Sequence, residues 1–118
     1  MDEHKYITIA KISLDDFIDI VEILNDKSKR KRNWVHLILT NQLICPSTNK
    51  KVAYCGFDKF DQKNGNITFH FNFYDKNGMM FTIDHKLPLS KGGKNWVDNI
   101  QPMICFDNWN KSNKLIFL

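Results

Sequence analysis

From Asn66 to Tyr74 the chain alternates without a break. Ile67, Phe69, Phe71 and Phe73 fall on one side, and Thr68, His70, Asn72 and Tyr74 on the other. A period of two is the signature of a strand. Asp75-Lys76-Asn77-Gly78 then reads as a turn, after which Met79, Phe81 and Ile83 alternate with Met80, Thr82 and Asp84. An antiparallel hairpin follows, and its register can be argued. A two-residue loop at Asn77-Gly78 sets the apolar side of one strand against the polar side of the other. A three-residue loop, Lys76-Asn77-Gly78, pairs Phe73 with Phe81 and Phe71 with Ile83, with Gly78 in the left-handed position of a bulged hairpin. Hydrophobic matching selects the second register. Carried to its end, that register sets His70 opposite Asp84 and Phe69 opposite His85.

The rest of the chain reads around this hairpin. Lys5 to Ile12 is a strand rich in β-branched residues. Ser13 is a good N-cap, with Asp16 at the capping-box position. Leu14, Phe17, Ile18, Val21 and Leu24 follow at helical spacing, so a helix is expected from 14 to about 25. Lys27-Ser28-Lys29-Arg30-Lys31-Arg32 then reads as a basic linker, and Trp34 to Ile44 is ambiguous between helix and strand, with His36 structural. Pro102 suits the first turn of a helix running to about Lys114. The tail Leu115-Ile116-Phe117-Leu118 is apolar and expected to dock on the core.

At 118 residues the chain is long enough for one small domain. Nine Phe and three Trp argue against disorder. No apolar run reaches the length of a membrane span, and the polar start, Met1 to Lys5, shows no secretion signal. Three cysteines without framework spacing suit a reducing compartment, so an intracellular protein is expected. A net charge of +4 suits a polyanionic partner but does not demand one.

One stretch carries chemistry. Ile83-Asp84-His85 ends the apolar strand, Lys91-Gly92-Gly93-Lys94 forms a loop, and Asn99 precedes Ile100-Gln101-Pro102. Asp107-Asn108-Trp109-Asn110-Lys111 follows on the expected helix. Thirteen residues separate His85 from Asn99, and eight separate Asn99 from Asn108. The stretch from 83 to 114 resembles the HNH nuclease motif, the ββα-metal fold, and its intervals match zinc-free members of that family. The resemblance implies an α+β chain: a ββα-metal core with an added N-terminal strand, helix and antiparallel hairpin. It would be a single nuclease domain over 1–118, with 1–44 as the N-terminal extension bearing the basic linker and 45–118 as hairpin plus core.

The resemblance also implies a set of roles. His85 is the general base, a task suited to a side chain whose ordinary pKa is about 6.5. Asn99 holds the strand–loop geometry and orients the His. Asp84 and Asn108 bind one divalent metal, magnesium or a substitute such as manganese. Lys111, Lys114, Lys91 and Lys94 face DNA phosphates. Beside such a motif the run Lys29, Arg30, Lys31 and Arg32 reads as a further phosphate contact rather than a plain linker. His70 either orients Asp84, approaches the metal, or is a structural cross-strand residue. Adjacent strand residues point to opposite faces, so Asp84 and His85 share one site only where the strand ends or kinks.

Zinc-bearing relatives carry cysteine pairs where this chain has Val52 with Cys55 and Ile104 with Asp107. A four-thiolate zinc site is therefore not expected, and Cys45, Cys55 and Cys105 read as scattered thiols. The expected function is a magnesium-dependent DNA endonuclease. The alternative is a nucleic-acid-binding module on the same fold with catalysis lost.

Overall fold

In a computed structural model, which describes residues 6–94 and 97–105, the chain forms a five-stranded antiparallel sheet with two helices. The order along the chain is β1 (Tyr6–Ile12), α1 (Leu14–Ile23), α2 (Lys29–Leu39), β2 (Tyr54–Asp61), β3 (Ile67–Tyr74), β4 (Met80–His85) and β5 (Ile100–Ile104). The strands lie side by side in that same order, with both helices inserted between β1 and β2. Among the described residues no helix is long and apolar enough to cross a membrane.

The first helix starts as its sequence demands. The Ser13 hydroxyl accepts the Asp16 N–H at 3.0 Å, satisfying one of the four N–H groups that a helix start leaves open. Phe17 and Val21 turn into the core. Leu24 lies just past the helix and stays exposed. The second helix starts inside the basic run, so Lys29 to Arg32 form its first turn and are not a linker. Nothing local favours that start. Ser28 makes no side-chain cap, and the first turn holds no acid to oppose the positive helix end. Packing by Trp34 and Leu37, both fully buried, supplies the stabilisation instead.

Both helices lie on one face of the sheet. Phe17 meets Phe73 edge-on at 4.8 Å, and Trp34 stacks on Phe73 at 4.2 Å. Phe81 and Ile100, also fully buried, extend this core onto β4 and β5. Beyond the helices the strands β1–β3 continue with no described element packed over them. Ile67 and Phe69 are therefore 53% and 54% exposed, although their alternation marks them as core-facing.

The hairpin between β3 and β4 has the expected loop. Phe73 pairs with Phe81, and Gly78 is left-handed at φ 85°. Asp75 Oδ1 accepts the N–H groups of Asn77 and Met79, which fixes the turn. The pairing then stops after Tyr74 and Met80. Phe71 does not face Ile83, His70 does not face Asp84, and Phe69 does not face His85. Arg30 explains the break. Its guanidinium donates to the Phe71 carbonyl at 2.8 Å and to Asn72 Oδ1 at 3.2 Å, occupying the β3 edge. Past Met80, β4 takes β5 as its ladder partner, from Phe81–Ile104 to His85–Ile100. Pro102 accordingly sits in β5 opposite Ile83, not in a helix. β5 is an outer strand of the described sheet, a place that tolerates a residue without an N–H. The expected helix to Lys114 and the apolar tail lie outside the described residues.

Candidate functional site

The Asp84–His85 pair closes β4, and the chain leaves the sheet directly after it. Asp84 sits opposite Gln101, whose Nε2 donates to Asp84 Oδ2 at 2.9 Å. The carboxylate is only 6% exposed, so the charge is held in place by a neighbouring donor rather than by bulk water. His85 sits opposite Ile100 and is half-buried. Alternation sends the two side chains to opposite faces of β4. His85 is the terminal strand residue, and the backbone directly after it is pinned by the Asn99 carbonyl.

Asn99 ties the long connection between β4 and β5 to that strand end. Its Oδ1 accepts the Leu87 N–H at 2.9 Å. Its Nδ2 donates to the Leu87 carbonyl at 3.1 Å and to the Lys94 carbonyl at 2.6 Å. Its own carbonyl accepts the Lys86 N–H at 2.8 Å. One amide thus holds three points of a loop that has little apolar packing. Inside the loop, Leu89–Lys91 makes a single tight turn, closed by Gly92 at φ 90°. Gly93 passes so close to the preceding chain that an added Cβ would lie 1.9 Å from the Leu87 carbonyl oxygen. Lys91 and Lys94 are exposed on this loop. A Gly93→Ala change is expected to open the loop and lower any nicking rate roughly 10–100-fold through misplacement. Hydrogen exchange at Leu87 should quicken while the global melt stays near wild type. Unchanged exchange and rate would show that the loop's closed form is irrelevant to the reaction.

Other expected residues lie elsewhere. His70 is in β3 opposite Asp58, beside Thr68 Oγ1 at 3.2 Å and against the rings of Tyr6 and Phe60. Strand pairing does not bring it to Asp84. Asn108, Lys111 and Lys114 lie outside the described residues. The basic run divides. Arg30 is committed to the β3 edge. Lys31 bonds Asp26 at 2.6 Å and holds that carboxyl down to about 2. Lys29 and Arg32 are exposed. Substituting Lys29 and Arg32 together by Ala should flatten the log-affinity against log-salt slope for DNA by about 1–2, with no loss of fold. An unchanged slope would make them simple solvated charges.

The thiols are not gathered. Cys45 is buried in the turn closed by the Ile44–Lys51 bridge. Burial opposes ionisation there, yet hydrogen bonds at Ser47, Thr48 and the Ile104 backbone bring its pKa below the ordinary value. Cys55 lies in β2, where burial, helped by the Asp58 charge, pushes its thiol up to about 12. Cys105 is exposed. Among the described residues no group of three His, Cys, Asp or Glu side chains is arranged to hold a metal. Magnesium needs no such group, because it takes one or two carboxylates and keeps several waters. The donor chemistry of Asp84, and of the Asn108 amide oxygen, suits such a hard cation.

Sequence reasoning missed a buried polar centre in the β1–β3 ladder. Asp58 is fully buried. It accepts the Thr8 hydroxyl at 2.7 Å, Asn72 Nδ2 at 2.8 Å and the Tyr74 hydroxyl. Burial and the adjacent carboxylate both raise the Tyr74 pKa. The available signal was Gly56 within a strand, which marks close approach. A Cβ there would lie 2.7 Å from both Asp58 Oδ1 and the Tyr74 ring. No family model, no curated protein and no solved structure matches this chain.

Proposed function

We propose that the chain is an HNH-type endonuclease that hydrolyses DNA phosphodiester bonds with one divalent metal, magnesium or manganese. The proposal includes a ββα-metal core in which β4 and β5 are the two strands. One observation carries it: Asn99 closes the β4–β5 connection onto Leu87, two residues after the Asp84–His85 pair, by two side-chain hydrogen bonds, with a third to the Lys94 carbonyl.

Hydrolysis needs an activated water, neutralised charge at phosphorus and a stabilised leaving oxygen. His85 takes the proton from water as general base. Asp84, fixed by Gln101, and Asn108 hold the cation. The metal, when bound, supplies Lewis-acid stabilisation of the phosphate. Asn99 is a positioning residue that keeps the strand end and loop in one geometry. Lys91 and Lys94 offer charge to the flanking phosphates.

Incubation of supercoiled plasmid with purified protein and magnesium tests the reading. Nicked or linear products, absent with chelator, support it. DNA binding without cleavage under any divalent cation would replace it with the inactive binding module.

A further inference from the structure

We infer that the face of β1–β3 turned away from the helices binds single-stranded nucleic acid by stacking bases on its aromatic rings. This deepens the nuclease reading, on which it rests for biological context, by making unpaired or opened DNA the substrate.

The register assigns the residues. Tyr6 pairs with Phe60, Thr8 with Asp58, Lys11 with Gly56, and Tyr54 with Tyr74. These positions share the face opposite to Cys55, Phe71 and Phe73, which the helices cover. Among the described residues no helix lies over them. A sheet face that meets water is normally polar, with apolar side chains turned inward. Among the described residues this one carries aromatic rings at both ends. At one end Tyr6 lies 5.1 Å from Phe60 and 5.7 Å from His70. At the other end Tyr54 stacks on Tyr74 at 5.3 Å, with Lys11 Nζ 4.9 Å from the Tyr54 ring centre. Tyr6, Tyr54 and Phe60 are half-buried, and Lys11 and His70 are exposed. Tyr54 and Phe60 are six positions apart along β2, about 20 Å at strand rise.

The floor between them is closely packed and its charge is enclosed. The Tyr74 ring and the Asp58 carboxylate fill the space over Gly56, and Asp58 is held by three donors. Asp58 is the acid of this face on the three strands, so the charge offered to solvent comes from Lys11. Arg30 adds a second cation at the β3 edge. Rings with cations between them, and no exposed acid among the described residues of this face, match the π-faces and phosphates of an unpaired strand. They fit an acidic peptide less well, because carboxylates gain nothing from ring faces. A duplex hides the base faces altogether.

Fluorescence anisotropy with a labelled oligothymidine of about a dozen nucleotides, in chelator so that nothing is cut, is the test. The full chain should bind it more tightly than a duplex of equal length. Tyr6→Leu and Tyr54→Leu should each weaken binding at least ~5-fold, whereas Tyr6→Phe and Tyr54→Phe should stay within about twofold of wild type. Lys11→Ala should reduce the salt slope by about 0.7. Ring resonances of Tyr6 and Tyr54 in the unsubstituted protein should shift when the oligonucleotide is added, which covers any variant that fails to fold. Equal affinity of the Leu and Phe variants, preference for duplex, or resonance shifts confined to α1 and α2 would each overturn the inference. Single-strand binding in a protein that never nicks plasmid would leave this face standing and remove the nuclease.

Discussion

Replacing His85 by alanine is expected to lower the nicking rate at least ~10²-fold while leaving the melt and the DNA affinity near wild type. The magnitude follows from the loss of a positioned general base, a contribution of about 10²–10⁴-fold. The small effect on fold follows from position. His85 is half-buried at the last place in β4, and the neighbouring ladder through Asp84 and Gln101 does not depend on an imidazole. His70→Ala is the matched control. It removes an imidazole of similar size from β3, where the ring lies against Tyr6 and Phe60 rather than beside Asp84. It should leave the chemical step intact. If His70→Ala lowers the single-turnover rate at saturating DNA as much as His85→Ala, the active centre lies on the β1–β3 ladder and not at the end of β4. A His85→Ala protein that nicks at the wild-type rate removes His85 from the mechanism.

Much of the fold was legible, for local reasons. The cap at Ser13, the apolar helical spacing through Phe17 and Val21, and the Gly78 loop are all encoded within a few residues. The Phe73–Phe81 register followed because only one loop length matches apolar sides. What alternation does not encode is whether a strand keeps its neighbour. The β3–β4 ladder ends early because Arg30, forty-one positions before Phe71, takes the edge carbonyl. Nor does alternation say where the helices stop covering the sheet, so Phe69 looked like core and is 54% exposed. The basic run concealed α2 because four charges in a row have no helical period; Trp34 and Leu37, further on, give the helix its buried side. Pro102 in β5 was obscured by its tolerance in both helix starts and outer strands.

The candidate site divides in the same way. The residues that resemble a family pattern were readable as types at intervals, and the β4–β5 ladder, which pairs His85 with Ile100, leaves Asn99 just before the first β5 residue. The Asn99 hydrogen bonds involve two backbone points, at Leu87 and Lys94, that no residue-type pattern reveals. The Asp58 centre was invisible because its partners come from the strands on either side of β2, Thr8 from β1 and Asn72 and Tyr74 from β3.

A strong chelator is expected to stop cleavage and leave the protein folded, and magnesium alone should restore activity. The argument rests on where the stabilisation comes from. Phe17, Trp34, Leu37, Phe73, Phe81 and Ile100 are fully buried on the helix side of the sheet. Each large apolar side chain so buried contributes about 1.5–3 kcal/mol. Phe69, exposed beyond the helices, is not among them. A structural zinc clip contributes about 10–16 kcal/mol, and its removal unfolds small domains that depend on it. Such a clip needs four ligands. Here Val52 is a buried aliphatic and Ile104 is part of the apolar core, where such a clip would need cysteines. Circular dichroism melts with and without chelator, run beside the nicking assay, should superimpose while activity is lost. A large fall in melting temperature on chelation, reversed by zinc and not by magnesium, would sink this account. It would make Cys45, whose thiol pKa is already drawn down by the Ser47–Thr48 turn, the first ligand to substitute.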